Sequence, residues 1–312
     1  MKRNFLSLTD LTPAEIERLV SLASDLKQHH KRGEPTPLLS GQAIALLFDK
    51  PSLRTRASFE VGMYQLGGHT TYLQAQDIGL GVRESINDVG RVLSRYYDGL
   101  AIRTFAHATV EELARAATVP VINALTDLLH PCQILAALQT LHEHFGSITG
   151  LQIAYIGDGN NVANSWLLGA AQMGLRLAIA CPKAYQPDRL IVQQAQKIAE
   201  ETGAALWIVE DPRQAAKGAD VVYTDVWTSM GQEQEAAIRR EVFRPYQINT
   251  TLMAETPSHT VVMHCLPAHR GEEISDEVFE SPRTLVFEEA ENRLHAQKAL
   301  LVLLLAAEGK RL

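Results

Sequence analysis

Short runs of apolar residues alternate along the chain with longer segments in which apolar positions recur every three to four residues. The short runs have the length of strands, and the longer segments, such as 58–66, 134–145 and 164–173, have helical periodicity. We predict strands at 43–48, 100–103, 119–123, 152–156, 176–180, 221–224, 261–263 and 284–286. Strands that alternate with helices indicate parallel sheets covered on both faces, so the predicted fold class is α/β.

The turn at residues 146–150, Gly-Ser-Ile-Thr-Gly, separates a long helical segment from a new strand. At 312 residues the chain is long for a single core and suits two domains. We therefore predict two α/β domains, 1–145 and 146–288, each a sandwich built on a parallel sheet. A last helix, 289–312, is amphipathic and then apolar, and we expect it to pack back on the first domain.

Composition and charge narrow the classes of function. Hydrophobic residues make up 46% and charged residues 21%, which is ordinary for a globular protein. The net charge of -7 argues against a nucleic-acid partner, which would need a basic surface. The longest apolar run, 299–307, is too short to span a bilayer. The three cysteines, without an apolar leader at the N-terminus, favour a reducing cytoplasm over a disulfide framework.

The first predicted strand ends at a segment suited to an anion. Ser52, after Pro51, is a strong helix N-cap. A helix that starts here presents free backbone N–H groups, two hydroxyls, and the guanidiniums of Arg54 and Arg56. The pattern predicts a phosphate site. Considered alone, a capped helix with solvated arginines explains the segment equally well.

Two further strand ends in the first half carry polar side chains. Arg103 closes the strand at 100–103, and His130 and Gln133 lie three positions apart at the head of a helix, so both can face one ligand. A neutral His130 could donate to a developing oxyanion, and Gln133 could accept from an amide NH2. Considered singly, these residues are more often a solvated strand end and a capping turn.

In the second half, reactive side chains again follow predicted strands. Asn161 closes the Gly-Asp-Gly-Asn-Asn turn, and Asp225 comes just past the strand 221–224, where a carboxylate can meet an ammonium group. Cys265 follows the strand 261–263. A helix cap at Asp225 and a structural Cys265 are the alternatives. Ligands of open α/β sheets bind beyond the carboxyl ends of strands, so these ends are where we expect the site.

Other chemistries fit the sequence less well. The third glycine of a dinucleotide-binding pattern that begins at Gly157 falls on Val162, and no acidic residue follows the strand that ends near Cys181, so we expect no NAD site. A nucleophile pair of Cys132 and His130 is weak, because neighbours two apart at a helix start need not meet. No standard zinc pattern fits the spacing of His130, Cys132, His142 and His144.

As a set, these motifs resemble the signature series of the ornithine carbamoyltransferases over essentially the whole chain. The matching segments are 52–56, Arg103, 130–133, 225–231, 264–267 and 291–298. The segments 52–56 and 130–133 are shared with aspartate carbamoyltransferases and indicate carbamoyl phosphate, whereas 225–231 and 264–267 are of the ornithine type. The resemblance implies transfer of a carbamoyl group from carbamoyl phosphate to the δ-amine of L-ornithine, giving L-citrulline and phosphate in arginine metabolism.

The resemblance also implies the site residues. Carbamoyl phosphate would be bound by Ser52, Leu53, Arg54, Thr55, Arg103, His130 and Gln133, with Cys265, Leu266 and Arg293 completing its pocket. Ornithine would be bound by Asn161, Asp225, Ser229 and Met230. The catalytic groups would be Arg103, His130, Asp225 and Cys265, with Arg54 and Arg56 offsetting charge on the leaving phosphate.

The family fold implied by this resemblance has two α/β domains with the active site between them. Members are usually homotrimers with active sites at the subunit borders, and neither a metal nor an organic cofactor is implied. Two alternatives remain: a sister transferase acting on putrescine, acetylornithine or another amine, and a binding module of the same fold without catalysis.

The chain departs from the family pattern at two positions. Leu53 stands where threonine is usual, so a hydroxyl is lost, although the backbone N–H of Leu53 can still face phosphate. Gly79 stands where many members carry a glutamine that reaches a neighbouring subunit's site. Gln76 or Arg83 could substitute for that glutamine.

Overall fold

A computed structural model describes residues 2–74, 78–79, 81 and 83–306. The chain folds into two compact units, Met1–Gln139 with Glu291–Leu312, and Thr140–Ala290. Each unit contains helices and a parallel sheet, which confirms the predicted fold class. The division into domains at residues 145 and 288 stays a prediction.

Helices and strands alternate along the described chain. In the first part they are α1 (Pro13–Lys31), β1 (Ala43–Phe48), α2 (Leu53–Gln65), β2 (His69–Gln74), α3 (Ile86–Leu93), β3 (Gly99–Arg103), α4 (His107–Ala116), β4 (Val121–Leu125) and α5 (Pro131–Phe145). They continue with β5 (Gln152–Ile156), α6 (Asn161–Gln172), β6 (Arg176–Ala180), α7 (Arg189–Thr202), β7 (Ala205–Val209), α8 (Pro212–Ala216), β8 (Val221–Thr224), α9 (Ala236–Phe243), α10 (Thr250–Ala254), β9 (Val261–His264), α11 (Asp276–Phe279) and α12 (Val286–Leu305).

The sheet of the first unit has the strand order β2-β1-β3-β4 in the described residues, and its strand pairs are parallel. The chain moves outward from β1 to β2 and returns to β3 on the other side of β1. The carboxyl ends of β1 and β3 therefore flank a topological switch point, where open α/β sheets bind ligands. Leu47, Ile102 and Val110 belong to the apolar core beneath this edge.

The second unit repeats this arrangement with the order β7-β6-β5-β8-β9, again in parallel among the residues described. Here the chain builds β5, β6 and β7 in one direction and then places β8 and β9 on the other side of β5. The switch point lies between β5 and β8. Ile156, Val222 and Phe243 pack in the core of this unit.

The structure differs from the predicted strands in four places, one of which is β4, predicted at 119–123 and observed at Val121–Leu125. The edge strands β2 and β7 were not predicted, and each is only partly buried. The predicted strand at 284–286 is wrong: Thr284 forms an isolated bridge with Val262, and α12 begins at Val286. The carbonyl of Leu285 already accepts from the backbone N–H of Glu289 at 2.9 Å, so this apolar run continues as a helix.

Residues of α12 from Glu291 onward belong to the first unit. Lys27 Nζ donates to Asn292 Oδ1 at 2.7 Å, and Lys298 Nζ donates to Gln65 Oε1 at 3.0 Å. These contacts hold the middle of α12 against α1 and α2. The helix was predicted over 289–312, and residues 307–312 lie outside the described part of the chain. No helix in the described ranges combines the length and apolar character needed to cross a membrane.

Candidate active site

The N-terminus of α2 forms one wall of the site in the first unit. Ser52 Oγ accepts from the backbone N–H of Thr55 at 3.3 Å, which confirms Ser52 as the predicted N-cap. Leu53 is the first helical residue, and its side chain is 81% exposed, so only its backbone contributes at the helix start. The unpaired N–H groups of a first helical turn, together with the helix dipole, favour an anion.

Three guanidiniums influence one another at this edge of the sheet. Arg103, at the end of β3, is 8% exposed, and its Nη1 lies 3.5 Å from Thr55 Oγ1. Burial and the charges of Arg293 and Arg54 lower the pKa of Arg103 to about 10. A bound anion stabilises a buried positive group whose pKa is lowered by neighbouring positive charges.

Arg293, on α12, contacts side chains of α2 and α5 in the first unit. From α12, its Nη1 donates to Gln133 Oε1 and approaches His130 Nε2 at 3.4 Å. Its Nη2 lies 3.4 Å from Thr55 Oγ1, and its Nε donates to Gln297 Oε1 at 2.6 Å. The structure thus gathers side chains predicted from three separate segments of the sequence around one buried guanidinium.

His130 is held as a neutral imidazole. Burial, reinforced by the positive charges of Arg293, Arg103 and Arg54, keeps the pKa of His130 well below its ordinary value. Because Nε2 faces the donor Nη1 of Arg293, the neutral ring carries its proton on Nδ1 and offers an N–H donor. Such a donor suits an oxygen that gains negative charge during acyl transfer.

Arg56 and Cys132 lie in the same two segments, and their surroundings bear on the roles considered for them in the sequence. Arg56 Nε donates to Glu60 Oε1 at 2.9 Å, and its guanidinium stacks 3.9 Å above the ring of Tyr72. Arg56 therefore has local partners in this structure, and the expectation that it offsets phosphate charge stays a prediction. Burial raises the pKa of Cys132 to about 11, which keeps the thiol protonated and unsuited to nucleophilic attack.

In the second unit, Asp225 lies just past β8 and is 6% exposed. Its Oδ1 accepts from Cys265 Sγ and from the backbone N–H of Val226, both at 2.8 Å. Its Oδ2 accepts from Asn160 Nδ2 at 2.7 Å. The segments that follow β5, β8 and β9 therefore meet at one carboxylate beside the switch point. Residues 225–231 are not helical, so Asp225 is not a helix cap.

The turn after β5 contains a residue that the sequence interpretation missed. Asn161, the predicted ligand, is the first residue of α6, and its backbone carbonyl accepts from Ser165 Oγ at 2.7 Å. Asn160 is the N-cap and the residue bonded to Asp225. The preference of helices for an asparagine N-cap is the signal that could have identified it.

Gly159 explains why the same turn does not suit a dinucleotide. A Cβ atom at this glycine would lie 2.3 Å from the backbone N of Pro187, and the N–H of Gly159 donates to the carbonyl of Tyr185 at 2.9 Å. The backbone of residues 185–187 therefore fills the space beside Gly159. In a dinucleotide site the pyrophosphate would lie in this space.

A buried ion pair anchors the segment that follows β8. Arg239, on α9, pairs with Asp158 at 3.0 Å and donates to the carbonyl of Trp227 at 2.9 Å. Burial raises the pKa of Asp158 to about 6, in opposition to Arg239. A buried pair adds little net stability, so its main effect is to fix geometry. Ser229 and Met230 lie further along this segment, half-buried and exposed respectively.

The turn after β9 is held by a fully buried pair. His264 Nδ1 accepts from the backbone N–H of Leu266 at 2.9 Å, and His264 Nε2 lies 3.0 Å from Glu273 Oε1. These contacts hold Leu266 at φ 57°, a conformation that bulky residues rarely adopt. The side chain of Cys265, which lies between His264 and Leu266 in the sequence, donates to Asp225.

Asp225, His264 and Cys265 have potential metal-ligand atoms within 4.8 Å of one another. Both ring nitrogens of His264 are engaged, so a metal there would have to displace the N–H of Leu266 or the carboxylate of Glu273. A second group with such spacing consists of His269, Glu272 and Glu273.

Gly79 occupies a turn that does not tolerate a side chain. Its φ is +63°, and a Cβ atom would lie 2.7 Å from the Cβ of Arg83. A glutamine here, as the family resemblance leads one to expect, would therefore require Gly79 or Arg83 to move. Gln76 lies outside the described residues, and the substitution of that glutamine by Arg83 stays a prediction.

Comparison with known proteins places the chain among carbamoyltransferases. Residues 3–143 match the family described as aspartate/ornithine carbamoyltransferase, carbamoyl-P binding domain, and residues 149–304 match the Asp/Orn binding domain of the same description. The ornithine carbamoyltransferase of Carboxydothermus hydrogenoformans is 53% identical over 97% of both chains.

Solved structures agree over the same length. The chain has a TM-score of 0.94 and 49% identity to the ornithine carbamoyltransferase from Pyrococcus furiosus, with 97% of each chain covered. For the anabolic ornithine carbamoyltransferase from Campylobacter jejuni the TM-score is 0.92 at 40% identity, covering 97% of this chain and 99% of that one.

Proposed function

The chain belongs to the ornithine carbamoyltransferase family, and we propose that it forms L-citrulline and phosphate from carbamoyl phosphate and L-ornithine. The observation that carries the proposal is the gathering of Arg54, Arg103 and Arg293 near the capped N-terminus of α2, around a neutral His130. An anion with a polarisable carbonyl is the ligand that such a group of donors suits.

In this proposal the first unit binds carbamoyl phosphate. The phosphate accepts from the first-turn N–H groups of Leu53 and Arg54 and from the hydroxyls of Ser52 and Thr55, and the guanidiniums of Arg54 and Arg103 offset its charge. The carbonyl oxygen accepts from Arg103 and His130. Gln133 Oε1 has two lone pairs, so it can accept from the carbamoyl NH2 as well as from Arg293.

The second unit binds L-ornithine in this proposal. Asp225 accepts from the α-ammonium, while Asn161, Ser229 and Met230 line the remainder of the amino acid. Because the thiol of Cys265 donates to Asp225, Cys265 acts as an orienting group that keeps its proton and not as a covalent nucleophile.

The reaction itself is acyl transfer without a covalent enzyme intermediate. The neutral δ-amine attacks the carbamoyl carbon, a C–N bond forms, the C–O bond to phosphate breaks, and the leaving phosphate takes the proton that the amine loses. Negative charge develops first on the carbonyl oxygen near His130 and then on the leaving phosphate near the arginines, so preorganised donors lower the barrier at both stages. Holding the δ-amine against the carbamoyl carbon lowers the activation barrier further, because the reacting atoms are already oriented.

A panel of acceptors tests this function. We expect kcat/KM for L-ornithine to exceed that for L-aspartate or putrescine by roughly 10³-fold or more, because the unused polar groups of a site reject an analogue that lacks their partner. Putrescine lacks the α-carboxylate, and residues 225–231 contain no cation for the second carboxylate of aspartate. Citrulline formation and phosphate release measure the transfer. Comparable use of either alternative would contradict the assignment of the acceptor.

We infer a homotrimeric assembly from the surface of α2 together with the family resemblance. Leu53, Val61 and Tyr64 lie on one face of this helix and are 81%, 43% and 80% exposed. A row of large apolar side chains on a helix surface marks an interaction surface. The partner that suits a member of this family is a second copy of the chain.

Sedimentation is expected to give a native mass three times that of the chain for the wild type and a smaller mass for a Val61→Asp, Tyr64→Asp double variant. Ile238→Asp, at a 64% exposed apolar residue of α9, is the matched control and should leave the native mass unchanged. A monomeric wild type would contradict the trimer, and an intact double variant would contradict the assignment of this face.

Cellular context forms the last part of the proposal. The free cysteines Cys132, Cys181 and Cys265 support a reducing, cytoplasmic location. The anabolic character of the Campylobacter jejuni relative supports a role in arginine biosynthesis.

A further inference from the structure

Asn160 links the start of α6 to the carboxylate of Asp225. Its Oδ1 accepts from the backbone N–H groups of Val162 and Ala163 at 2.9 and 3.2 Å, which caps the helix. The same oxygen accepts from the hydroxyl of Tyr155, a fully buried residue of β5, at 3.1 Å. These three donors leave only the NH2 end of the amide to face Asp225.

This arrangement fixes the orientation of the amide. In a flipped amide, the NH2 group would face two helix N–H donors and lose their hydrogen bonds. The Nδ2 atom is therefore committed to Asp225 Oδ2, at 2.7 Å. An asparagine at the N-cap can serve as acceptor for the helix and as donor for its neighbour, whereas serine or aspartate would serve only the first purpose well.

The donors around Asp225 come from separate segments. Asn160 holds one carboxylate oxygen, and Cys265 and Val226 hold the other. Neutral donors stabilise the ionised carboxylate without adding a positive charge that would compete for it. The hydrogen bonds to both oxygens therefore hold the carboxylate in a fixed plane, which is what a directional contact with an ammonium group needs.

We propose that Asn160 is a positioning residue for the acceptor amino acid, orienting the ionised carboxylate of Asp225 toward the α-ammonium of ornithine. This role rests on the proposed function and deepens it, because it assigns part of the acceptor affinity to a residue that acts through Asp225. The neighbouring Asn161 is the residue that the family resemblance connects to ornithine, and Asn160 has a separate task.

Asn160→Asp separates this role from helix capping. Aspartate caps a helix as well as asparagine does, but it places a second carboxylate against Asp225. Two adjoining carboxylates share a proton at low pH, and the protonated member can then donate as Asn160 does. As pH rises, this proton is lost and the two negative charges repel each other.

The measurement is the ratio of KM for ornithine between variant and wild type at each pH, so that the titration of ornithine itself cancels. For Asn160→Asp we expect the ratio to be at least about tenfold at pH 8.5 and to fall as pH is lowered toward 6. KM for carbamoyl phosphate should stay within about twofold of the wild type, because the other substrate does not depend on Asp225.

Asn160→Ser provides the second variant. Serine keeps the cap but lacks the amide donor, so KM for ornithine should rise by a factor that does not vary with pH. Asn249→Asp is the matched control, since Asn249 Oδ1 caps α10 by accepting from the N–H of Leu252 at 3.0 Å. The control should change neither KM. Thermal melting of each variant shows whether the fold is retained.

The outcomes separate this inference from the proposed function. Ornithine KM values for Asn160→Asp and Asn160→Ser that match the wild type at every pH would overturn the positioning role and leave Asn160 as a cap alone. An equal rise in the KM of both substrates would also overturn it, because it would indicate general damage. A wild-type enzyme that forms no citrulline would instead contradict the proposed function.

Discussion

Arg54→Ala is expected to lower kcat/KM for carbamoyl phosphate by roughly 10²–10³-fold, the effect of removing one donor from a preorganised electrostatic site. Arg54 lies in the first turn of α2, and its charge lowers the pKa of both Arg103 and His130, so it stands close to both groups. Alanine is a strong helix former, so α2 should persist in the variant. Steady-state kinetics with carbamoyl phosphate as the varied substrate measures the effect.

Two further variants sharpen this test. Arg54→Lys keeps the charge and loses the two-pronged geometry of the guanidinium, so it should fall between alanine and the wild type. Arg91→Ala removes one positive charge from an exposed position of α3 and should change kcat/KM by no more than about twofold. If Arg54→Ala turned over carbamoyl phosphate as fast as Arg91→Ala does, the phosphate site would not be at the start of α2.

The fold could be predicted where its strands are buried on both faces. β1, β3 and β8 each contain a run of consecutive apolar residues, and this is the signal that a central parallel strand leaves in a sequence. β2, with the sequence His-Thr-Thr-Tyr-Leu-Gln, lies at an edge and carries almost no such signal. β7 does contain an apolar run after Gly203, so its sequence carries the signal of a strand.

Only the part of the site that lies at the ends of strands could be predicted from the sequence. Arg103 ends β3, Asp225 and Cys265 follow β8 and β9, and the parallel strands of each sheet bring their carboxyl ends to one edge of that sheet. No rule of spacing brings Arg293 to Gln133, because 160 positions separate them. The N-cap preference for asparagine could have pointed to Asn160, but the contact between its amide and Asp225, 65 positions away, is set by the tertiary structure.

The two units use the same structural principle for opposite charges. In each, the chain reverses its strand order beside the first strand of the sheet, and the segments after the two flanking strands carry the polar groups. The first unit gathers guanidiniums there, and the second gathers a carboxylate with neutral donors. One arrangement therefore suits an anionic donor of a carbamoyl group, and the other suits a cationic acceptor.

Asp225→Asn is expected to lower kcat/KM for ornithine by roughly 30-fold to 5,000-fold, because truncating one partner of a buried, hydrogen-bonded charge pair costs about 2–5 kcal/mol. The substitution keeps the shape of the side chain and removes the charge that receives the α-ammonium. It also turns one acceptor oxygen into an NH2 group. Whichever way the new amide faces, this group meets a donor, either Asn160 Nδ2 or the pair of Cys265 and Val226.

The loss should be specific to the second substrate, with KM for carbamoyl phosphate unchanged and citrulline formation as the readout. Asp220→Asn is the control in the same unit, because Asp220 precedes β8 and accepts from the backbone N–H of Gln152 at 2.8 Å, at the strand end opposite to Asp225. This variant should use ornithine as the wild type does. Equal losses in both variants would show that the negative charge at position 225 supports the fold and not the binding of ornithine.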